Sequence, residues 1–404
     1  MKRIVNLIQI VLGGIGLVAL VVLLNGMFQQ QAAVTAARRT PTAASFKPTP
    51  KATKPAKVDW ENATLEQIQF GKTRTILKQN AQIKIWSWLP DNRRLLIELE
   101  DPQSPEVTAH FRIVTLDVKT GEIVEYGRRR DEGSPPLWIA ETKSVVFTWD
   151  TFPGGQHEIR LGRAGGQVQT IAKGFAGLSV QPGTDNIYYL LVSAQPNALR
   201  LTQASQPELA PQIPFAHLSL PWGGAEIDPQ GKRLVIIGRP DFQILDLESG
   251  ELQIYPVAKQ RSSELPPVWA MSGAWNPDGK NLAVTLGANF DHGPSFSQLA
   301  LFDPGSGQVQ DLKLPTRWVY EYEWSPKGRF LLAKGGDPKT GDLYPDSFWL
   351  VDPRDATFKQ LKYFPQVKDS TSTLMAWSAK GQLAWVQNVP EGLGIAITQV
   401  RPGR

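Results

Sequence analysis

A ten-residue pattern recurs along most of the chain and limits its possible folds more than any other feature. It joins an apolar anchor, a turn of the Pro-Asp-Gly-Lys type and a short apolar run, as in WNPDGKNLAV from Trp275. Successive anchors lie about 40 to 50 residues apart, a period typical of repeat architectures. Short strands separated by turns make that architecture an all-β propeller. Full copies begin at Trp88, Val180, Ile227, Trp275 and Trp324, and copies one residue shorter begin at Ile139 and Trp377.

Each part of the pattern has a physical role. The anchor ends the inner strand of a blade and packs against the neighbouring sheet. Proline presets the backbone of the turn, Asp or Asn hydrogen-bonds within it, and Gly supplies a positive φ. The apolar run that follows is predicted to be a strand buried on both faces.

A second hairpin follows most copies of the pattern. Examples are TLDVKTGEIVEY at 115–126 and ILDLESGELQIY at 244–255, and the stretch at 198–209 fits more loosely. Two hairpins per repeat predict a four-stranded blade, and seven copies predict seven blades. Six blades remain the alternative if the weak copy at Ile139 is not independent. The acids that recur in these hairpins are interpreted as turn formers without chemistry: Asp117, Asp246, Asp303 and Asp352.

The last blade needs a strand from elsewhere in the chain. After Trp377 the sequence offers only GQLAWV and GIAITQV as further strands. We expect the stretch QFGKTRTIL at 69–77 to supply the missing outer strand, so that the ring closes without a covalent bond. Closure removes the exposed strand edges that invite aggregation.

The repeat resembles a known family of propellers. The sequence Φ-x-P-D-G-[KR]-x-Φ-x-[VF] is similar to the WD40-like "PD40" repeats of TolB-type propellers and of prolyl oligopeptidase propellers. The resemblance covers residues 80–400 and implies the fold, but it implies no chemistry. The chain lacks the N-terminal α/β domain of TolB, and it has neither the hydrolase domain nor the G-x-S-x-G element of the peptidases.

The N-terminal residues predict a membrane anchor. Residues 4–27 contain no charged side chain, and fifteen of them are Leu, Ile or Val. As a helix they would span about 36 Å, enough to cross a bilayer. Lys2 and Arg3 in the short segment 1–3 favour a cytoplasmic N-terminus and an extracytoplasmic body. The alternative is that this segment is a signal peptide, cleaved near the small residues at 34–36, and that the protein is secreted.

The remaining boundaries follow from composition. Residues 28–58 are rich in Pro, Ala, Thr and Lys and are predicted to be a disordered basic linker, while residues 59–404 form the propeller. The formal net charge of +5 is misleading, because residues 1–58 hold eight basic side chains and no acid. The propeller itself is slightly acidic, so nucleic acid is not a predicted partner. Cysteine is absent and the four histidines show no metal-ligand spacing, so no metal or cofactor is predicted.

The loops opposite the repeat turns are the predicted binding face. In a blade, the loops between the second and third strands lie on the same face as the connections between blades. The long insertions fall on this face, and long loops on a rigid scaffold often carry binding sites. The candidate binding residues are Arg128, Arg129, Arg130, His157, Trp269, Phe290, Asp291, His292, Trp318, Asp337, Asp342 and Tyr344.

Each candidate group also has a plainer interpretation. Arg128 to Arg130 could clamp a carboxylate or phosphate, or they could be a solvated run of charge. Asp291 and His292 could ligate a metal, although an adjacent pair is more often a hydrogen-bonded loop. The acids between 337 and 346 could bind Ca²⁺, but their spacing is not that of an EF-hand. We therefore assign no catalytic, cofactor or metal residue.

Two classes of function remain. The first is a membrane-anchored, non-enzymatic binding or scaffold module for a protein or a cell-envelope polymer. The second is a propeller hydrolase or lyase, which would need acids or histidines from several blades to converge at the central mouth of the ring. The sequence contains no signal for oligomeric state.

Overall fold

The computed structural model describes most of the predicted propeller, and the statements below concern its described residues. The predicted membrane helix at 4–27 and the linker at 28–58 lie outside them. Among the described residues, no helix is long and apolar enough to cross a membrane. The described segments are 59–102, 110–130, 134–151, 156–173, 177–191, 198–207, 212–214, 224–238, 241–257, 269–290, 293–316, 318–336, 347–361 and 375–403.

The described residues form seven antiparallel sheets, one for each copy of the repeat. The prediction of seven blades is therefore confirmed, and the alternative of six is wrong. The first strand of each blade lies at the ring axis and ends at the repeat anchor. These inner strands are β3 (Ile83–Trp88), β7 (Leu137–Ile139), β11 (Gly177–Val180), β15 (Ala225–Ile227), β19 (Trp269–Trp275), β23 (Trp318–Trp324) and β27 (Met375–Trp377).

The middle strands of each blade carry the apolar runs. Most of their described side chains are buried, because both faces of each blade are covered by neighbouring blades. The second strands are β4 (Arg94–Glu100), β8 (Ser144–Thr151), β12 (Asn186–Leu191), β16 (Arg233–Ile237), β20 (Leu282–Phe290), β24 (Leu331–Gly336) and β28 (Gln382–Val389). The third strands are β5 (Phe111–Asp117), β9 (Gln156–Arg163), β13 (Ala198–Gln203), β17 (Asp241–Asp246), β21 (Gly293–Asp303), β25 (Ser347–Asp352) and β29 (Gly392–Pro402).

The outer strands are more exposed than the others. In the first six blades each one follows the third strand through a short hairpin. The hairpin acids accept main-chain N–H bonds at the turns, as predicted; Asp117 Oδ1, for example, accepts from Lys119 and Thr120 at 2.9 and 3.0 Å. These outer strands are β6 (Ile123–Arg129), β10 (Gln167–Lys173), β14 (Gln212–Pro214), β18 (Leu252–Pro256), β22 (Gln308–Asp311) and β26 (Thr357–Leu361).

The N-terminal residues complete the seventh blade, as predicted. Strands β1 (Ile68–Phe70) and β2 (Arg74–Gln79) both pair antiparallel with β29, in register with its two ends. Two short 3-10 helices, Trp60–Asn62 and Leu65–Gln67, precede these strands. The ring is therefore closed by pairing between the two ends of the propeller sequence.

The hydrophobic core is divided among the interfaces between blades. Seven buried clusters are found, and each joins two neighbouring blades. The cluster around Ile85 and Ile395 joins the first blade to the seventh. Fully burying one such side chain contributes about 1.5 to 3 kcal/mol, so a blade gains most of its stability from its neighbours.

The second blade corrects one prediction from the sequence. Its anchor is Trp138 and not Ile139, because Trp138 packs into the cluster shared with the first blade, whereas Ile139 packs towards the third. Strand register agrees, since Trp138 pairs with Val145, seven residues later, as Trp275 pairs with Leu282. The copy is therefore of full length, and its turn departs from the Pro-Asp-Gly sequence: Lys143, with φ of 52°, adopts the left-handed conformation.

Candidate functional site on the propeller axis

Neighbouring inner strands are joined by a repeated hydrogen bond from the anchor tryptophan. The indole Nε1 donates to the carbonyl oxygen of the residue that precedes the anchor in the previous blade. Trp275 bonds Glu226 at 3.3 Å, and Trp324 bonds Ala274 at 2.9 Å. Trp88 bonds Ala376 of the seventh blade at 3.0 Å, so the same contact closes the ring.

The side chains that precede the anchors make the reciprocal contact. Ser179 Oγ accepts the main-chain N–H of Ile227 at 3.0 Å, and Glu323 Oε1 accepts that of Trp377 at 3.5 Å. The Glu226 carboxyl likewise accepts the main-chain N–H of Trp275. An inner strand is an edge strand, and its outward N–H groups would otherwise lack partners. These polar side chains therefore supply hydrogen-bond acceptors for the main-chain N–H groups at the edge of the next blade.

Three carboxyl groups are gathered near the axis by this arrangement. Glu226 lies on β15 of the fourth blade, and Glu321 and Glu323 lie on β23 of the sixth. Glu321 Oε1 accepts the N–H of Met375 at 3.0 Å. Lys334, which is buried, lies directly opposite Glu321 in the strand register.

The axial surroundings disfavour ionisation of these acids. Burial raises the pKa of Glu226 to about 7, although the Trp275 N–H opposes the change. Burial also raises the pKa of Glu323 to about 8, and the nearby Glu321 and Glu226 carboxylates add to that effect. At neutral pH, Glu323 is mostly protonated and Glu226 is near its midpoint. Such groups can both donate and accept protons.

Tyr322 connects the fifth and sixth blades beside these acids. Its hydroxyl lies 3.1 Å from Ser272 Oγ and donates to the carbonyl oxygen of Ala283 at 3.3 Å. Burial raises the pKa of the phenol, so the side chain is neutral across the physiological range. Tyr322 therefore acts as a hydrogen-bonding strut between blades.

A cavity of about 660 Å³ lies along the inner strands of the first five blades. It reaches the face that carries the repeat turns, where Pro90 and Thr184 form part of its rim. Trp88 and Trp138 contribute aromatic surface, and Glu226 contributes a carboxyl group. Most other lining side chains are aliphatic, proline or hydroxyl-bearing, and none of the described lining residues is Lys, Arg or His.

The arginines predicted for the binding face have partners inside the protein. Arg128 pairs with Glu125 and Asp101, both at 3.1 Å. Arg129 is 1% exposed and forms an ion pair with Glu98, which is also buried. Arg130 is partly exposed at the end of this segment. The group is therefore neither a simple solvated run nor three free cations.

The other predicted binding residues are only partly described. Trp318 begins β23 and is partly exposed, and its carbonyl oxygen accepts a hydrogen bond from the Thr316 hydroxyl at 3.1 Å. His157, Trp269 and Phe290 lie in strands β9, β19 and β20. Their part in binding stays a prediction. Five predicted residues lie outside the described ones: Asp291, His292, Asp337, Asp342 and Tyr344.

The axial acids were not predicted from the sequence, although a signal for them is present. Glu226 and Glu323 each stand directly before an anchor, in the stretches EIDPQG and EWSPKG. A polar residue at this point of an inner strand can accept a main-chain N–H of the neighbouring blade, as Ser179 and Glu323 do. Among the described residues, no group of three or more His, Asp or Glu side chains has the geometry to hold a metal ion.

Comparison with known proteins identifies a fold but no family. No family model and no curated protein matches the sequence. The crystal structure of TolB from Acinetobacter baumannii aligns over 68% of this chain and 64% of its own, with 16% identity and a TM-score of 0.44. The chain thus spans just under two thirds of that structure.

A second solved structure is more similar in shape. An oligogalacturonate lyase from Vibrio parahaemolyticus aligns over 82% of this chain and 96% of its own, with 9% identity and a TM-score of 0.55. At this identity the likeness shows the fold alone. It agrees with the propeller fold that the repeat implied.

Proposed function

We propose that the protein is a membrane-anchored, extracytoplasmic propeller that binds a protein or a cell-envelope polymer without catalysis. Residues 4–27 would hold it in the membrane with the N-terminus in the cytoplasm, and 28–58 would act as the spacer. The partner would bind the predicted binding face opposite the repeat turns, called the loop-rich face below, which includes Arg128 and Trp318. The proposal does not involve a cofactor or nucleic acid.

One observation carries the proposal. The axial polar side chains, which an enzyme would use on substrate, accept main-chain N–H groups of the next blade. Glu226, Glu321 and Glu323 are all used in this way. This is the expected arrangement for a rigid scaffold that holds its own ring together.

A hydrolase or lyase is the second candidate, and a specific observation favours it. Glu226 and Glu323 come from different blades and have pKa values near neutrality, as a general acid or base requires. The fold likeness to an oligogalacturonate lyase makes oligogalacturonate the substrate to test. Ionised carboxylates on the axis would, however, repel a polyanionic substrate.

Membrane topology can be tested with single cysteines, because the native chain has none. We would introduce Gln169→Cys on the exposed outer strand β10 and, separately, Lys2→Cys, and treat spheroplasts with a membrane-impermeant maleimide. The proposal expects labelling of the Gln169→Cys protein in intact spheroplasts and of the Lys2→Cys protein only after lysis. The reverse pattern would contradict it.

Partner binding can be tested by photo-crosslinking in cells. A photoreactive amino acid would replace Trp318 or Arg128 on the loop-rich face, and Gln169 would serve as the control on the outer strand. The proposal expects a discrete adduct from the loop-rich face and none from Gln169. Adducts that are absent, or equal at all three positions, count against it.

Turnover of oligogalacturonate that Glu226→Gln abolishes would instead favour the lyase.

A further inference from the structure

The axial cavity combines an apolar wall with a single lining carboxyl on the inner strands. Leu137, Leu178 and Ile227 contribute aliphatic surface, while Trp88 and Trp138 add aromatic rings. The other acidic lining residue, Glu141, is exposed on the repeat-turn rim. A mostly apolar pocket with a few convergent polar groups is the usual form of a small-ligand site.

Glu226 retains capacity for a ligand. Its carboxyl accepts one main-chain N–H, from Trp275, whereas a carboxylate has about four acceptor positions. Hydroxyl groups of Ser179 and Ser272 lie on the flanking blades and also line the cavity. The acid is therefore held in place by the next blade and still borders the open space.

The charges around this carboxyl favour a cation. Ser179 on β11 and Ser272 on β19 line the cavity with it, and Tyr322 and Glu323 on β23 lie close enough to interact electrostatically with its carboxyl. None of these can carry positive charge, and none of the described residues that line the cavity is Lys, Arg or His. A ligand that brings its own positive charge would pair with the ionised Glu226 carboxylate, which has no cationic neighbour among these groups.

We propose that the axial cavity binds a ligand that carries an ammonium or guanidinium group on an apolar stem, with the cation at Glu226. The apolar stem would lie against the aliphatic wall and the two tryptophan rings. This site reaches the repeat-turn face, and it is separate from the loop-rich face proposed for the partner. A lysine side chain in a peptide and a free diamine share the required chemistry.

Calorimetric titration of the full-length protein tests this proposal. The probes are end-blocked tripeptides Leu-Lys-Leu, Leu-Gln-Leu and Leu-Glu-Leu, together with 1,4-diaminobutane. We expect the Lys peptide to bind at least tenfold more tightly than the Gln peptide, and the Glu peptide not to bind. Tighter binding of the diamine than of the Lys peptide would identify a free amine as the ligand.

Variants separate the role of the charge from a structural effect. Glu226→Gln should lower affinity for the Lys peptide at least tenfold and leave affinity for the Gln peptide unchanged. The matched control is Glu391→Gln, which removes an exposed carboxyl on the seventh blade, away from the residues that line the cavity, and should change affinity less than twofold. If Glu226→Gln fails to fold, Glu226→Asp is the second variant. It keeps the charge on a shorter side chain, farther from the ligand, and should still weaken binding.

The pH dependence gives an independent readout. A cation needs the ionised form of Glu226, so affinity for the Lys peptide should rise between pH 6 and 8 in the native protein and stay flat in Glu226→Gln. Equal binding of the Lys and Gln peptides, a preference for the Glu peptide, or no binding by any probe would each overturn the proposal. None of these outcomes would affect the partner proposed for the loop-rich face.

Discussion

At the scale of single residues, the two acids that precede anchors show how one side chain can serve structure and respond to pH. Glu323 accepts the N–H of Trp377, which an edge strand needs, but its carboxyl lies in a low-dielectric position. A neutral acid can make this contact without the cost of burying a charge. Burial therefore favours the protonated form of Glu323 in the folded ring.

This arrangement predicts how stability varies with pH. The pKa of Glu323 is raised in the folded protein above its ordinary value of 4.5. Below pH 4.5 the folded and the unfolded chain both hold the proton, and the contribution of Glu323 to stability is at its maximum. Above that value the unfolded chain releases the proton, and stability falls as pH rises through about 8. Glu323→Gln keeps an acceptor oxygen and cannot ionise. We expect it to match the native protein at pH 5 and to be more stable at pH 9, by on the order of 2 kcal/mol after screening.

Urea unfolding at pH 5 and pH 9, at constant ionic strength, measures this difference. The control is Glu391→Gln, which removes an exposed carboxyl paired with Lys78 at 3.1 Å. Its pKa is lowered by the hydrogen bond from Lys78, so this variant should gain nothing at pH 9. A native protein as stable at pH 9 as at pH 5 would show that the Glu323 proton is not needed for folding.

At the scale of elements, three anchor tryptophans, Trp88, Trp275 and Trp324, hydrogen-bond their inner strands to the blade before. Trp324 donates its indole N–H to Ala274 at 2.9 Å. The Trp377 indole N–H has no hydrogen-bond partner among the described residues, although its ring packs edge-on against Trp60. The same residue type at equivalent positions therefore makes a hydrogen bond in one blade and only packs in another.

A comparison of Trp324→Phe with Trp377→Phe isolates this hydrogen bond. Both changes remove a similar amount of ring, but only the first leaves a carbonyl oxygen, that of Ala274, without its donor. We expect Trp324→Phe to lose about 1 kcal/mol more unfolding free energy than Trp377→Phe. Denaturant melts of the two variants measure it. Equal losses would show that the anchors act through packing alone.

The blades were predictable from the sequence because the turn and the anchor leave local signals. Asn92 shows this well: it replaces glycine in its turn and adopts φ of 54°, which Asn tolerates better than most residues. The second blade was misaligned by one residue because Ala140 and Glu141 replace the Pro-Asp pair. Without that pair, only the core contacts of Trp138 identify the anchor.

The axial site was not predictable to the same degree. Whether Glu226 faces solvent, the next blade or a cavity depends on the ring and not on its neighbours in sequence. Arg129 gives the opposite case: a run of arginines suggests exposure, yet its partner Glu98 lies on β4, 31 residues away. Contacts of this kind are formed by closure of the sheets, so local patterns do not reveal them.

At the scale of the whole molecule, the segment that closes the ring supports both sides of the last blade. Ile76 and Leu77 of β2 pack on the cluster shared with the first blade. Ala63, Leu65 and Ile68 belong to the cluster between the sixth and seventh blades. Release of this segment would uncover two interfaces at once, and it would leave open strand edges.

A covalent bond across the closure tests how much the ring depends on it. Gln69 of β1 and Arg401 of β29 are exposed partners in the antiparallel register, at a spacing that suits a disulfide. The matched control is Arg163 with Gln167, which are exposed partners within one hairpin of the second blade. The native chain contains no cysteine that could exchange with either pair.

The two double-cysteine variants should differ because they constrain the unfolded chain to different extents. Gln69→Cys with Arg401→Cys closes a loop of nearly the whole propeller and should raise the unfolding free energy by roughly 5 kcal/mol, whereas the hairpin pair should add about 2 kcal/mol. Denaturant melts of the oxidised and reduced forms measure both gains. The contrary result is an oxidised ring-closing pair that gains no more unfolding free energy than the hairpin pair. The two ends would then either stay together in the unfolded chain or separate before the propeller unfolds. In both cases, closure would not limit the stability of the propeller.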